Sequence, residues 1–126
     1  MIILTSVNRK LEMVLAGAIT TNDLQAICHF ETVRAEEAQE GYGCEIVESN
    51  DTTAVTILSA PRAGESKLAK SISIYNADTT DVTMTFRYND NGTSYTIFKA
   101  TLATGDNVYY EDQAGWSVLD STGSLK

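Results

Sequence analysis

The sequence has few of the residues from which catalytic and metal centres are built. Its 126 residues include one histidine, His29, and two cysteines, Cys28 and Cys44. Structural zinc sites need four ligands at short spacings, and neighbours such as Cys28 and His29 point to opposite faces of a strand. Neither a Gly-x-Ser-x-Gly nucleophile turn nor a glycine-rich phosphate loop occurs. We therefore expect no enzyme active site, no metal and no cofactor.

Three acidic segments have simpler structural interpretations. Residues 89–92 are similar to the beginning of a calcium loop, but alanine occupies the position where such a loop needs its bidentate glutamate. Asp78 and Asp81 lie in a turn that its own side chains can cap, which is commoner than an ion site. The third segment contains glutamates that are more typical of a solvated face than of catalytic carboxylates: Glu36, Glu37 and Glu40.

Proline and long apolar runs are also scarce. Pro61 is the only proline, and the longest apolar runs, such as residues 13–16, are far shorter than the roughly 20 residues that span a bilayer. The opening residues 1–6 lack the features of a secretion signal, so we expect none. Seventeen acidic and nine basic side chains give a net charge of −8, which repels phosphate backbones. We expect neither a membrane span nor a nucleic-acid partner.

The sequence instead contains β-branched and aromatic runs separated by turn residues. In residues 82–88 the apolar side chains alternate with polar ones and share one face: Val82, Met84, Phe86 and Tyr88. The Asn91-Gly92 pair that follows is a strong hairpin signal because both residues tolerate positive φ. We therefore predict a hairpin over residues 82–102.

Turn signals recur along the rest of the chain at the spacing of a β-sandwich. The pattern predicts an all-β, single-domain antiparallel β-sandwich of jelly-roll-like type over residues 1–126, with about eight or nine strands. Residues 1–8 are either an N-terminal arm or an edge strand. We interpret residues 32–39 as a connecting loop that has room for a helical turn.

Cysteine, histidine and the aromatic residues each leave two interpretations open. We expect two reduced, buried thiols, with a disulfide as the alternative if the protein leaves the cell. His29 lies in an apolar stretch, which favours a structural or partly buried histidine. Half-buried strand aromatics are the usual case, but exposed ones can form a stacking platform for a sugar or receptor. The candidates for such a platform are Tyr75, Tyr95 and Tyr110, together with Trp116.

The C-terminal half, residues 72–126, resembles a type of small structural protein found in tailed-bacteriophage particles. The segments that carry the resemblance are residues 73–79, 82–93, 98–106 and 115–120. They include the Asn91-Gly92 turn and a terminal strand that begins Gly115-Trp116. Residues 15–22 are also similar to the openings of such proteins.

The resemblance implies a non-enzymatic virion protein, made in the host cytoplasm. Its place would be capsid decoration (cement) or a small tail or fibre component, as a homo-oligomer, specifically a trimer, bound to major capsid or tail proteins. One apolar segment either forms an assembly arm on a neighbouring subunit or completes its own sheet: Met1, Ile2, Ile3 and Leu4. The alternative function is a carbohydrate- or receptor-binding module of a tail fibre or host-recognition apparatus, which would use the aromatic platform.

Overall fold

The computed structural model describes residues 1–34 and 40–126, and within them the chain is all-β. The described residues form ten strands in chain order: β1 (Ile2–Leu4), β2 (Arg9–Leu15), β3 (Gln25–Arg34), β4 (Glu40–Glu48), β5 (Val55–Leu58), β6 (Glu65–Tyr75), β7 (Val82–Asp90), β8 (Thr93–Leu102), β9 (Asn107–Glu111) and β10 (Gly115–Leu119). This confirms the predicted all-β class. The strand that the sequence pattern did not indicate is β4, where Gly41 and Gly43 interrupt the apolar alternation.

The strands form two antiparallel sheets. Sheet A contains six strands in the order β10-β9-β6-β3-β4, with β1 also paired to β6. The strand β6 pairs with β1 at Lys67 to Ala69 and with β9 at Ser71 to Tyr75. Sheet B contains four strands in the order β5-β2-β7-β8.

The predicted hairpin is confirmed as β7 and β8. Its register runs from Val82 opposite Leu102 to Asp90 opposite Thr93. The connecting residues Asn91 and Gly92 have φ angles of 52° and 95°, the left-handed conformation that this residue pair tolerates. Local turn chemistry therefore sets the register of the edge of sheet B.

The inward side chains of both sheets belong to one hydrophobic cluster. Sheet A contributes Ile72 and Ile74 from β6, and sheet B contributes Met13 and Phe86, all with side chains buried. Trp116 on β10 stacks on Phe98 of β8 with ring centroids 4.9 Å apart, and its edge meets Phe86 at 5.0 Å. These aromatic contacts join the two sheets on the side of β8 and β10.

Buried polar side chains connect the loops at one end of the molecule. The carboxylate of Asp78 accepts backbone N–H bonds from Thr20 at 2.8 Å and Thr21 at 2.7 Å. These N–H donors, Thr20 foremost, hold the pKa of Asp78 well below its usual range. Asn76 donates to the carbonyl oxygen of Leu102 at 2.9 Å. Asp78 also accepts the backbone N–H of Thr79 at 2.9 Å, so it caps its own turn, as predicted, and its bonds to Thr20 and Thr21 fix the loop between β2 and β3.

Candidate functional site

The outer face of sheet B is polar. Thr83 and Thr101 form a hydroxyl–hydroxyl hydrogen bond of 2.7 Å across β7 and β8. On β2, Glu12 accepts hydrogen bonds from Arg87 at 3.2 Å and Asn89 at 2.9 Å. The hydroxyl pair is exposed to water, whereas Glu12 is only 4% exposed beneath its two partners.

The outer face of sheet A has a different composition, with several exposed apolar side chains. Tyr42 is 77% exposed and Ile46 is 73% exposed on β4, while Ile27 on β3 is the register partner of Ile46. We call this set the apolar face, and it comprises Ile27, Val33, Tyr42, Ile46 and Tyr75. Clustered exposed apolar side chains on one sheet mark a surface that interacts with another molecule.

The apolar face extends to an open sheet edge. Within the described residues, β4 pairs with β3 alone, so its other edge lies at the margin of sheet A. The strand has nine residues, and an edge of this length is a template for pairing with another strand. The strand β4 therefore provides exposed side chains and backbone hydrogen-bonding groups at the same place.

A close contact explains why β4 contains glycine beside β3. Phe30 on β3 lies opposite Gly43 and fills the space where a side chain would be. A Cβ atom on Gly43 would lie 2.8 Å from Cε1 of the Phe30 ring and closer still to Cζ. The Phe30 ring also lies under the Lys67 ammonium group, 4.7 Å from its centroid, as a cation–π contact.

The inner surface of sheet A becomes polar where it extends past the core, and a cleft of about 510 Å³ opens there. We call this the cleft, and the polar side chains around it include Thr32, Arg34, Arg62, Glu65 and Lys67. Arg34 Nε lies 2.9 Å from Glu65 Oε1 across the paired strands β3 and β6. The side chains come from β3, β6 and the loop before β6.

Behind the cleft, Ser59 links the end of β5 to β4. Its backbone N–H donates to Glu45 Oε2 at 2.7 Å, and its hydroxyl donates to the other carboxylate oxygen. Lys67 Nζ donates to the carbonyl oxygen of Ser59 at 3.0 Å and to its Oγ at 2.8 Å. Because both donors of Ser59 bind one carboxylate, the group connects sheet B to sheet A as a structural clamp.

No protein-family model matches this chain, and no curated protein or solved structure matches it either.

The structure separates the aromatic residues that were predicted to form a platform. Tyr75 is 42% exposed and Tyr95 is 57% exposed, as expected, but they lie on different sheets. The prediction that Tyr110 is exposed is wrong, because Tyr110 is 3% exposed and pairs with the buried Ile72 in register. Trp116 packs against the core. Of the predicted set, Tyr95 lines a separate pocket of about 380 Å³ together with Ile3, Arg9, Tyr88 and Asp90.

The cysteine and histidine predictions are corrected in part. Both thiols are free, but Cys28 is buried and Cys44 is exposed, so the expectation of two buried thiols is wrong for Cys44. His29 is exposed rather than partly buried, since it is the register partner of Cys44 on the outer face of sheet A. Burial raises the pKa of the Cys28 thiol to about 12, with the Glu45 carboxylate adding to the effect.

The apolar N-terminal segment completes its own sheet in this structure. Ile2 and Leu4 are buried, and β1 pairs antiparallel with β6. Of the two interpretations drawn from the sequence, the edge strand is the one that the structure contains, and exchange with another subunit stays a prediction.

Two further predictions concern residues 35–39, which the structure does not describe. Glu36 and Glu37 lie among them, as does most of the expected connecting loop, whereas Glu40 begins β4 and Thr32 to Arg34 complete β3. Among the described residues, no group of three or more His, Cys, Asp or Glu could hold a metal ion. No helix in the described ranges is long and apolar enough to span a membrane.

Proposed function

We propose that this chain is a non-enzymatic structural protein of a tailed-phage virion that assembles as a homo-oligomer through the apolar face and the edge of β4. The observation that carries the proposal is the contrast between the two sheets. Sheet B presents threonine and charged side chains to water, whereas sheet A presents Ile46 and Tyr42 at more than two-thirds exposure. The phage assignment is supported by the resemblance of residues 72–126 to virion proteins.

A second copy of the chain is the partner that the charge distribution favours. A net charge of −8 repels another copy over most of the surface. The register pair Ile27 and Ile46 is uncharged, whereas Glu31 is the register partner of Tyr42 and is paired with Lys70. Two-fold packing of the apolar face against the same face of a second copy would bury Ile46 of both, with the open edge of β4 at the margin of the interface.

The finer architecture and the place in the particle belong to the same proposal. We propose that the two sheets pack face to face as a β-sandwich, because their inward residues form one cluster. The jelly-roll connection stays a prediction, and so does the trimer, which would need a head-to-tail contact in place of the two-fold one. Major capsid or tail proteins would be the partners, with the polar face of sheet B directed to solvent.

Substitution of Ile46 by lysine tests the assembly surface. Full burial of an isoleucine contributes about 1.5–3 kcal/mol, so burial of a side chain that is 73% exposed contributes about 1–2 kcal/mol per copy. A two-fold interface counts the loss twice, which corresponds to a roughly 30- to 1000-fold weaker dissociation constant. Sedimentation equilibrium across a wide concentration range should show an oligomer for the native chain and a monomer for Ile46→Lys.

The matched control is Thr85→Lys, which adds the same charge to the outer face of sheet B and should leave assembly unchanged. A native chain that stays monomeric at near-millimolar concentration would contradict the assembly proposal, as would equal effects of the two substitutions. Cross-linking within a purified phage particle then tests the virion assignment separately, since capsid or tail proteins must appear as neighbours.

A carbohydrate-binding module is the second candidate, and the pocket beside Tyr95 favours it. The Tyr95 ring is 57% exposed, and the ion pair between Arg9 and Asp90, 3.4 Å apart, offers hydrogen-bonding groups beside it. An exposed aromatic ring with a few convergent polar groups is the usual composition of a small-ligand site. Binding of cell-surface glycans that Tyr95→Ala abolishes and Tyr75→Ala preserves would establish this function instead.

A further inference from the structure

The pocket beside Tyr95 lies on the inner face of sheet B, where that sheet extends past the core. The register places Leu11, Tyr88 and Tyr95 in one row across β2, β7 and β8. Because Leu11 is fully buried in the core, this row belongs to the inner face. Arg9 and Asp90, two residues further along β2 and β7, are register partners on the same face. We call this site the tyrosine pocket, and its lining comprises Ile3, Arg9, Tyr88, Asp90 and Tyr95.

The two tyrosines form an aromatic wall of unequal exposure. Tyr88 is half-buried and packs against the hydrophobic core, so the fold holds it in place before any ligand arrives. Its register partner Tyr95 is 57% exposed, which leaves much of its surface for a ligand. An aromatic ring of this kind has an apolar face that can pack against the C–H face of a sugar ring. The wall therefore suits a ring-shaped ligand with one apolar face.

The charged groups of the tyrosine pocket balance each other. Arg9 Nε lies 3.4 Å from Asp90 Oδ2, and both side chains are more than a third exposed. The charged side chains at adjacent strand positions form a separate set, Lys10 and Arg87 with Glu12, on the outer face of the sheet. A charged ligand would be attracted by one member of the Arg9–Asp90 pair and repelled by the other. Because a charged ligand also loses more hydration on binding, the pocket favours a neutral one.

We propose that the tyrosine pocket binds a neutral pyranose sugar, with the sugar ring against Tyr95 and its hydroxyl groups on the Arg9–Asp90 pair. The guanidinium group donates hydrogen bonds and the carboxylate accepts them, so the pair can bind adjacent hydroxyl groups of one sugar. The volume of about 380 Å³ lies within the range of small-molecule sites. This proposal rests on the carbohydrate-binding function, whose ligand class it specifies, and it is independent of assembly through the apolar face.

Titration of the full chain with sugars, followed by amide chemical shifts in NMR spectra, tests the ligand class. The neutral probes are the methyl pyranosides of glucose, galactose and mannose. The charged probes are the uronic acid and the 2-amino sugar of the same ring configuration, and glycerol is a polyol without a ring. At least one neutral probe should shift the amide signals around Tyr88 and Tyr95 in a saturable way. It should bind more tightly than its charged counterparts and glycerol by about tenfold or more.

The possible failures are distinguishable. Equal binding of a charged counterpart in the tyrosine pocket overturns the neutral ligand class but leaves the carbohydrate-binding function in place. Equal binding of glycerol overturns the role of the sugar ring. If none of the sugars, neutral or charged, gives saturable shifts, both the ligand class and the carbohydrate-binding function are refuted.

Variants of Tyr95 test the aromatic wall. Tyr95→Ala should weaken binding of the neutral sugar by about tenfold or more, whereas Tyr95→Phe keeps the ring and should retain binding. Tyr75→Ala is the control, since it removes an exposed tyrosine from the other sheet. Equal losses for the two alanine variants, or no loss for Tyr95→Ala, refute the proposal.

A variant of Asp90 tests the charge balance by a change in preference that a merely structural role would not produce. Asp90→Asn leaves the guanidinium group of Arg9 without its carboxylate, so the uronic acid should now bind more tightly than the neutral sugar. An unchanged preference for the neutral sugar in Asp90→Asn contradicts the role of the ion pair. If Tyr95→Ala fails to fold by circular dichroism, Asp90→Asn and the ligand comparison decide.

Discussion

Replacing Gly43 with alanine would place a methyl group in the space that the Phe30 ring occupies. The new Cβ atom would lie 2.8 Å from ring atom Cε1, closer than real Cβ contacts allow. Since Phe30 also packs under Lys67, the ring must move or β4 must shift away from β3. Overpacking of this kind costs about 1–3 kcal/mol in the free energy of unfolding.

Gly41 offers a matched control on the same strand, two residues earlier and on the same face. A Cβ atom there would lie 3.8 Å from Cβ of Thr32, an ordinary van der Waals distance. Gly41→Ala should therefore leave the stability unchanged or raise it by about 0.4–1 kcal/mol, because alanine reduces the freedom of the unfolded chain. For a chain of this length, Gly43→Ala should lower the melting temperature by about 3–15 °C.

The assay is thermal and urea unfolding of both variants, together with Phe30→Leu and the double variant Gly43→Ala, Phe30→Leu. A smaller ring should relieve the clash, so the two substitutions should show a coupling of about 0.5–3 kcal/mol. Equal effects of the two glycine substitutions, or additive behaviour in the double variant, would refute the claim that Phe30 requires glycine at position 43.

Two further predictions concern ionisable groups. The pKa of Asp78 is lower in the folded state than in the unfolded state. The carboxylate therefore stabilises the fold above about pH 4, and this contribution is lost as the pH falls through the folded-state pKa. Asp78→Asn should lower the urea midpoint at neutral pH, and the midpoint of the variant should decrease less in acid. A variant as acid-sensitive as the native chain would contradict this. A thiol reagent should modify one cysteine in the folded chain and both in denaturant, because Cys44 is exposed and burial raises the pKa of Cys28 to about 12. The Cys44→Ser variant should lose the fast reaction, which checks the assignment.

Local sequence signals predicted the parts of the fold that depend on neighbours in the chain. The β7–β8 hairpin followed from alternation and from Asn91-Gly92, whose conformations are local properties. The strand β4 was not predicted, because the contact that requires glycine at position 43 is made by Phe30 on another strand. Tyr110 was misassigned because the alternating pattern does not say which of two adjacent tyrosines faces the core.

The cleft and the apolar face could not be predicted in the same way. Arg34, Arg62 and Lys67 are far apart in sequence or separated by a turn, and only the pairing of β3 with β6 brings them to one cleft. Exposure of Ile27 and Ile46 depends on the fact that nothing in the described chain covers that side of sheet A. Such surfaces are consequences of topology, which alternation alone does not specify.

The pairing of β6 has a consequence for the way the chain folds. One edge of this strand pairs with both β1 and β9, which are separated by most of the other strands. Sheet A therefore cannot be completed until β9 has been synthesised, and before then the edge of β6 from Ser71 to Tyr75 is unpaired. Folding should be a late, cooperative event on the millisecond-to-second scale of proteins whose strands pair across long sequence separations.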